Sequence, residues 1–348
     1  MKGQQVDLHD KVHGCLLGIA SGDAIGMPAL NALEKTIALH GSEIKTFIDA
    51  SKDREVDPVH YNLPAGMVTD DTFAALAIVN GLIKTKKLTV ETFADAFIEW
   101  IDEDEKLAIR LGRHRGFAGP STGLAIEKLR SGMSPWETGK EGTTNGSSMR
   151  VAPIGFLYPG DIESTVDATE ISCVPTHNTN VAISAACAIS CAVSVMAAGE
   201  TDLSNIVDAA KEGAELGVKR GAKTYCLSVA KRIDLAIHLV GSNKSRAEIR
   251  QDIYDLIGTY LPSYEVVPAS IGAFVLEQGE PEATILSAVN IGGDCDTLGA
   301  IAGALAGTLS GFKAFPALYG EKIEAVNDFG LHQLSADFLE AISEITAS

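Results

Sequence analysis

Apolar residues recur at three- and four-residue spacings through most of the chain. The clearest stretches are TDDTFAALAIVNGLIKTKK (69–87), TVETFADAFIEWIDEDEK (89–106), STGLAIEKLRSG (121–132), NIVDAAKEGAELGVKR (205–220) and LSADFLEAISEI (334–345). This spacing gathers the apolar side chains on one face of a helix. No run of alternating polar and apolar residues stands out as a strand series, so the pattern predicts an all-α fold. Proline and glycine fall mainly between these segments, in YNLPAGM, GFAGPSTG, RVAPIGFLYPGD and TYLPSYEVVP, where they mark loops or helix starts. With no long linker, a single multi-helix domain is expected over residues 1–348.

Two glycine series stand out from this pattern: Gly14, Gly18, Gly22 and Gly26, and Gly299, Gly303, Gly307 and Gly311. A step of four lines one helical face. Glycine inside a helix costs about 1 kcal/mol relative to alanine, so eight of them call for a compensating gain, most simply close backbone approach between buried helices. Both helices are therefore expected at the domain centre, the first running through Asp23.

Composition narrows function more than fold. At 348 residues and 46% hydrophobic content the chain can bury a large core. A formal charge of −18 leaves no basic patch to neutralise phosphates, so neither nucleic acid nor an anionic membrane surface is expected as a partner. Acidic surfaces do attract divalent cations. One stretch, NVAISAACAISCAVSVMAAG (180–199), is long and uncharged enough to raise a membrane question. It is mostly alanine, serine and cysteine and has no polybasic flank, which points to a buried helix instead.

Six cysteines (Cys15, Cys173, Cys187, Cys191, Cys226, Cys295) contain no CxxC pair. Free thiols in a reducing cytoplasm are expected rather than a zinc ribbon or dithiol motif. The opening MKGQQVDLHDKVHG lacks the apolar run of a signal peptide. No heptad seam or apolar stripe argues for a large assembly, so a monomer or small homo-oligomer is expected.

Chemistry concentrates at two helix starts. NIGGDCDTLGAIAGALAG (290–307) sets Asp294, Asp296 and Thr297 before an apolar helix, and LPAGMVTDDTFAALAI (63–78) does the same with Thr69, Asp70 and Asp71. Such residues can simply cap a helix. An aspartate nucleophile of the phosphotransferase kind would need a buried strand before it and a long α/β domain after it, which the pattern does not offer. The third reading is coordination of a hard cation, because carboxylate and hydroxyl oxygens are what Mg²⁺, Mn²⁺ or Ca²⁺ prefer. Four carboxylates held together repel one another unless cations neutralise them.

Taken in order, HGCLLGIASGDAIGMP, LPAGMVTDDT, RGFAGPSTG, TTNGSSMRVAPIGFL, THNTNVAISAACA and NIGGDCDTLGAIAGALAG resemble the ADP-ribosylglycohydrolase family, of the dinitrogenase reductase-activating glycohydrolase type. The resemblance runs from about residue 11 to about residue 320. It implies a compact orthogonal all-α fold around a binuclear site for two Mg2+ (or Mn2+) ions, that is, a magnesium or manganese pair. It also implies hydrolysis of the N- or O-glycosidic bond at C1 of an ADP-ribosyl group, in a small-molecule ribosyl substrate or an ADP-ribosylated protein.

Residue by residue, the resemblance carries the metal-ligand role to Thr69, Asp70, Asp71, Asp294, Asp296 and Thr297. Asp70, Asp71 and Asp296 would serve catalysis through metal-activated water. Substrate contact is carried to Gly116, Phe117, Gly119 and Ser121 in RGFAGPSTG, and to Asn145, Gly146, Ser147, Ser148 and Met149 in NGSSMR. Helix-start N–H groups there could cradle a diphosphate, or the segments are ordinary connections. His177, beside Asn178, corresponds to a histidine near the ribose or is a polar residue at a helix start. Arg150 suits a phosphate or a core salt bridge. Trp100 and Trp136 are assigned to packing, and Cys295, a poor ligand for a hard cation, to the core.

One position departs from the family. A glutamate, both metal ligand and proposed general base, is expected four residues after the second glycine of GDAxG, and GDAIGMPALNALEK places Leu30 there. Leucine can neither bind Mg²⁺ nor accept a proton. Glu34, four residues on, is the first substitute to consider, while Asp23 reads as a structural residue beside the site. The chain thus resembles a divergent metal-dependent hydrolase of an ADP-ribosyl conjugate or related N-riboside. The alternative is a catalytically impaired protein that binds metal and ADP-ribose or ribose.

Overall fold

The two glycine series face each other. In the computed structural model, which describes residues 7–347, the helices Leu8–Gly26 and Cys295–Ser310 run antiparallel, with Gly14 opposite Gly307, Gly18 opposite Gly303 and Gly22 opposite Gly299. A Cβ added at Gly18 would lie 2.0 Å from the Gly303 carbonyl oxygen, and one at Gly22 2.0 Å from that of Gly299. Not even a methyl group fits. The backbones therefore touch along their length, and the dispersion attraction between them offsets the poor helix propensity of glycine. The same register seats Gly26, at the C-terminal end of the first helix, against Cys295 and Asp296 at the start of the second.

Sixteen α-helices and no strand occur among the described residues, and all five periodic segments are helical, at Asp70–Thr85, Val90–Arg110, Pro120–Arg130, Leu203–Gly217 and Leu331–Thr346. The sequence reading of the N-terminal leader falls in part on residues 1–6, outside the described residues. The helix Asn180–Ala197 is long and apolar enough to cross a membrane, yet 89% of it is buried inside the protein. Its serines bond to neighbouring carbonyls, Ser184 to Ala214 at 2.8 Å and Ser194 to Tyr158 at 2.7 Å. All six cysteines are free, and Cys295 is buried in the core as expected.

Three local expectations are corrected. Pro175 and Pro268 sit inside helices rather than between them. Pro175 lies in a final turn, where the helix is about to end, and Pro268 is on a helix buried on nearly every side, where packing outweighs one lost backbone bond. Trp100 packs against Phe97, but Trp136 is 52% exposed, on a four-residue surface helix, Pro135–Thr138. A small satellite core of Met27, Ala50, Leu63, Met67 and Phe117 lies beyond the end of the first helix. It brings the loop that carries Phe117 towards the acidic helix ends.

Candidate active site

Three helix ends converge: the C-terminal end of Leu8–Gly26 and the N-terminal ends of Asp70–Thr85 and Cys295–Ser310. Asp23 binds them together. Its carboxylate accepts hydrogen bonds from the Thr69 N–H (2.9 Å) and hydroxyl (2.8 Å) and from the Thr72 N–H (3.2 Å) and hydroxyl (2.5 Å). Asp23 thus acts as the structural residue read from sequence. Thr69 donates its hydroxyl proton there and keeps its oxygen lone pairs for another partner.

Asp70, Asp71, Asp294 and Asp296 share the resulting space. Burial, followed by repulsion from Asp296, holds the carboxyls of Asp70, Asp71 and Asp294 well above the usual carboxylate range. Asp71 is 1% exposed and its Oδ1 has no hydrogen-bond partner. Two helix N-termini favour negative charge here, but they do not compensate this many buried acids. The donor set is all oxygen, and the orphaned Oδ1 calls for a positive partner, so these residues fit a hard divalent cation. As the side chains stand, no three acids or histidines among the described residues close around one point.

Asp296 is engaged by His60, whose Nε2 lies 3.1 Å from Oδ2, while the Thr297 N–H donates to Oδ1 at 3.0 Å. Burial opposes charge on the imidazole, but Asp296, with Asp57 and Asp70 behind it, outweighs this and raises it to about 9. Burial likewise opposes charge on Asp296, but the His60 ring outweighs it and draws the carboxyl down to about 2. His60 was not among the sequence candidates. A single histidine in the loop DPVHY carries no periodic or motif signal.

Its position is built by neighbours. Asp57 Oδ1 accepts the backbone N–H groups of Val59 (3.1 Å) and His60 (2.8 Å), and Arg113 donates to the Val59 carbonyl. The Arg113 guanidinium also lies over the rings of Tyr61 (5.5 Å) and Phe117 (4.4 Å). Buried Asp104 fixes the RGFAGPSTG loop by accepting from Phe117 N–H at 2.8 Å and Ala118 N–H at 3.3 Å. A Cβ at Gly116 would sit 2.0 Å from that carboxylate, so the loop requires glycine there. Gly119 is open, and Ser121 lines a surface cleft with Thr138 and Glu141.

On the opposite side, Asn145 donates to Asp294 Oδ2 at 2.5 Å, which links the NGSSMR turn directly to the acids. The remaining residues of that turn differ from expectation. Ser147 and Met149 are buried, Ser147 donating to the Ala182 carbonyl and Met149 packing in the main core. His177 is fully buried, its Nε2 3.0 Å from the Thr144 hydroxyl and its Nδ1 2.8 Å from that of Thr176. It supports Thr144–Gly146 from beneath rather than facing a ribose. Arg150 pairs with no carboxylate among the described residues: its guanidinium lies 3.9 Å from the Phe97 ring centroid and donates to Thr176 at 2.6 Å.

The segment after Gly26 supplies no acid. The Leu30 N–H donates to the Thr36 hydroxyl at 2.8 Å, and the Asn31 carbonyl accepts from Gly293 N–H at 2.9 Å. Glu34 is exposed in the first turn of the next helix, Leu33–His40, and makes no hydrogen bond or ion pair among the described residues.

These shifts set a pH dependence. A group held above its ordinary value keeps protons in the folded state that the unfolded chain releases, so stability falls as pH rises between the two values. Burial lifts the Asp23 carboxyl from 3.8 to about 6 against the Thr72 bond, with Asp296 adding to the rise. The His60 contribution is fully present below 6.5 and lost as pH rises through about 9. Asp296 acts in the opposite sense, but only between about 2 and 3.8. Without metal the protein is expected to melt at a lower temperature at pH 9 than at pH 5, and saturating Mg²⁺ is expected to flatten the trend. Thermal melts with chelator and with Mg²⁺ check this, and a metal-free melting temperature rising with pH would contradict it.

Sequence comparisons agree with this geometry. The ADP-ribosylglycohydrolase family pattern matches residues 4–346. The chain is 30% identical to the uncharacterized protein YegU of Escherichia coli (strain K12), across 93% of this chain and 95% of that one. It is 28% identical to the ADP-ribosylhydrolase ARH3 of Xenopus tropicalis (76% and 81% covered) and 25% identical to the ADP-ribosylarginine hydrolase Tri1 of Pseudomonas putida (strain GB-1) (90% and 74% covered). A solved ADP-ribosylglycohydrolase-related protein complex superposes with a TM-score of 0.66 at 20% identity, covering 97% of this chain and 99% of that one, and shares the fold. With the match spanning nearly every residue and the acids gathered where the shared fold joins its central helices, the chain belongs to the ADP-ribosylglycohydrolase family.

Proposed function

We propose that the chain is a metal-dependent hydrolase of a ribosyl glycosidic bond, in an ADP-ribosyl conjugate or a related N-riboside. The observation that carries this reading is the meeting of two acidic helix starts around a buried, unpartnered Asp71 Oδ1. Thr69, Asp70 and Asp71 on one side and Asp294, Asp296 and Thr297 on the other would hold two Mg²⁺ or Mn²⁺ ions. When bound, such ions supply charge neutralisation, a grip on ribose hydroxyls and polarisation of water.

The chain's own residues orient and exclude. Asp23 fixes the start of Asp70–Thr85, and Asn145 fixes Asp294. Asp104 and Arg113 hold the Phe117 loop at one wall, and His177 holds the Asn145 turn at the other. Ribosyl cleavage passes through an oxocarbenium-like state, and preorganised carboxylates complement its positive charge. With Leu30 apolar and Glu34 on the surface, the water's proton must pass to one of the aspartates. The names of the ARH3 and Tri1 relatives support an ADP-ribosyl substrate.

The apolar Leu30 in the place of a carboxylate, with Glu34 exposed on its helix, favours a second reading, a metal- and ADP-ribose-binding protein without turnover. A product assay separates the two. Metal-supplied protein is offered ADP-ribosyl-arginine, ADP-ribosyl-serine, ADP-ribose 1″-phosphate and common nucleosides, with and without chelator. Chelator-sensitive release of ADP-ribose or ribose is the expected result. Tight ADP-ribose binding with no release across the panel would establish the binding protein instead.

A further inference from the structure

We propose that His60 is a built-in occupant of the Asp296 half of the acid site. A divalent cation then competes with the imidazole for Asp296, so the chain takes one cation tightly and a second weakly. The inference rests on the metal reading above and assigns it an order of filling.

The two halves of the site are unlike. On Asp296 both carboxylate oxygens have donors, Oδ2 from His60 at 3.1 Å and Oδ1 from the Thr297 N–H at 3.0 Å. Asp294 has Oδ2 taken by Asn145 at 2.5 Å. On the other helix start, Asp71 Oδ1 is buried with no donor at all. A first cation therefore meets an open oxygen at Asp71, whereas a second competes with the donors already on Asp294 and Asp296.

The His60 contact is not made by a free side chain. The turn carrying His60 is pinned by the Val59 and His60 N–H groups donating to Asp57 and by the Arg113 bond to the Val59 carbonyl, so the ring's place on Asp296 and the Asp57–Tyr61 turn are set together. Arg113 also spans Tyr61 and Phe117, so displacement of the ring reaches the RGFAGPSTG loop. The second cation and the arrangement of that loop are thereby linked: the state with His60 on Asp296 is the one-cation state, and its release accompanies the second.

The test is Mn²⁺ binding to metal-stripped full-length protein, followed by calorimetry and native mass spectrometry. The wild type is expected to bind one ion at least about tenfold more tightly than the second, a gap of about 1.4 kcal/mol. In His60→Phe, which fills the space without donating, and in His60→Ala, the second site is expected to tighten by a similar factor. Hydrogen exchange on the wild type needs no variant: amides 57–61 are expected to lose protection only as the second ion binds. Two sites of equal affinity in wild type, or no protection change at 57–61, would overturn the proposal while leaving the metal reading standing. Absence of Mn²⁺ binding in wild type would overturn both.

Discussion

Asp71→Asn is expected to lower metal-dependent turnover by at least about 100-fold while raising the melting temperature of the metal-free protein. Loss of an outer partner of a metal ligand already costs about 10–100-fold in affinity or activity, and Asp71 is proposed as a ligand itself. The opposite effect on stability follows from its surroundings. Asp71 is buried with Asp23, Asp70, Asp294 and Asp296 around it, and each adds to the penalty for ionising it. An amide of the same shape is neutral at every pH, and neighbouring carboxylates can accept its protons. Ligand binding stabilises the folded state by mass action, about 2.7 kcal/mol at a hundredfold excess over Kd. Wild type should therefore gain melting temperature on Mg²⁺ addition and the variant little or none. Retained chelator-sensitive turnover in the variant, or a metal-free melting temperature below wild type, would remove Asp71 from the site.

The second large effect is expected from one methyl group. Gly18→Ala places a carbon 2.0 Å from the Gly303 carbonyl oxygen, and no rotamer change can relieve a clash between two backbones. Overpacking usually costs about 1–3 kcal/mol and sometimes more. Here the two central helices must separate, so a loss of about 3 kcal/mol or outright failure to fold is expected. Alanine's better helix propensity returns only about 1 kcal/mol of this. Gly123→Ala supplies the control, because Gly123 is also helical yet has nothing within 4 Å of an added Cβ. That variant should be neutral or more stable by up to about 1 kcal/mol. Denaturant melts of the two variants check the contrast, and equal stability would mean the glycine contact does not hold the core.

The features legible in sequence were those with a short-range signature. Helical periodicity is local, so Asp70–Thr85 and Val90–Arg110 could be read directly, and a step of four between glycines is a statement about one helical face. Which face meets which is a long-range matter, and the sequence did not show that Gly18 would oppose Gly303. Among site residues, TDDT and GDCDT announced themselves by acids at helix starts. His60 did not, because it acts from a loop on a partner far away in sequence, and Asp104 did not, because nothing in its helix marks it as the anchor of the loop that follows. His177 and Arg150 were left with alternatives in sequence, and the fold gives both buried sites with internal partners. Burial of a polar group with its partner is a property of the folded chain, invisible to residue type alone.

The glycine seam also sets an order of events in folding. It joins the helix Leu8–Gly26 to Cys295–Ser310, segments from opposite ends of the described chain. A contact between such distant segments closes a very long loop, and that entropy is lost before the contact returns anything. As the chain leaves the ribosome, the first helix must wait, its glycine face bare, until nearly all of the intervening sequence has emerged. The acids of the site come from both ends in the same way. The candidate site is therefore among the last parts of the molecule to take shape, and a nascent or C-terminally truncated chain carries only half of it.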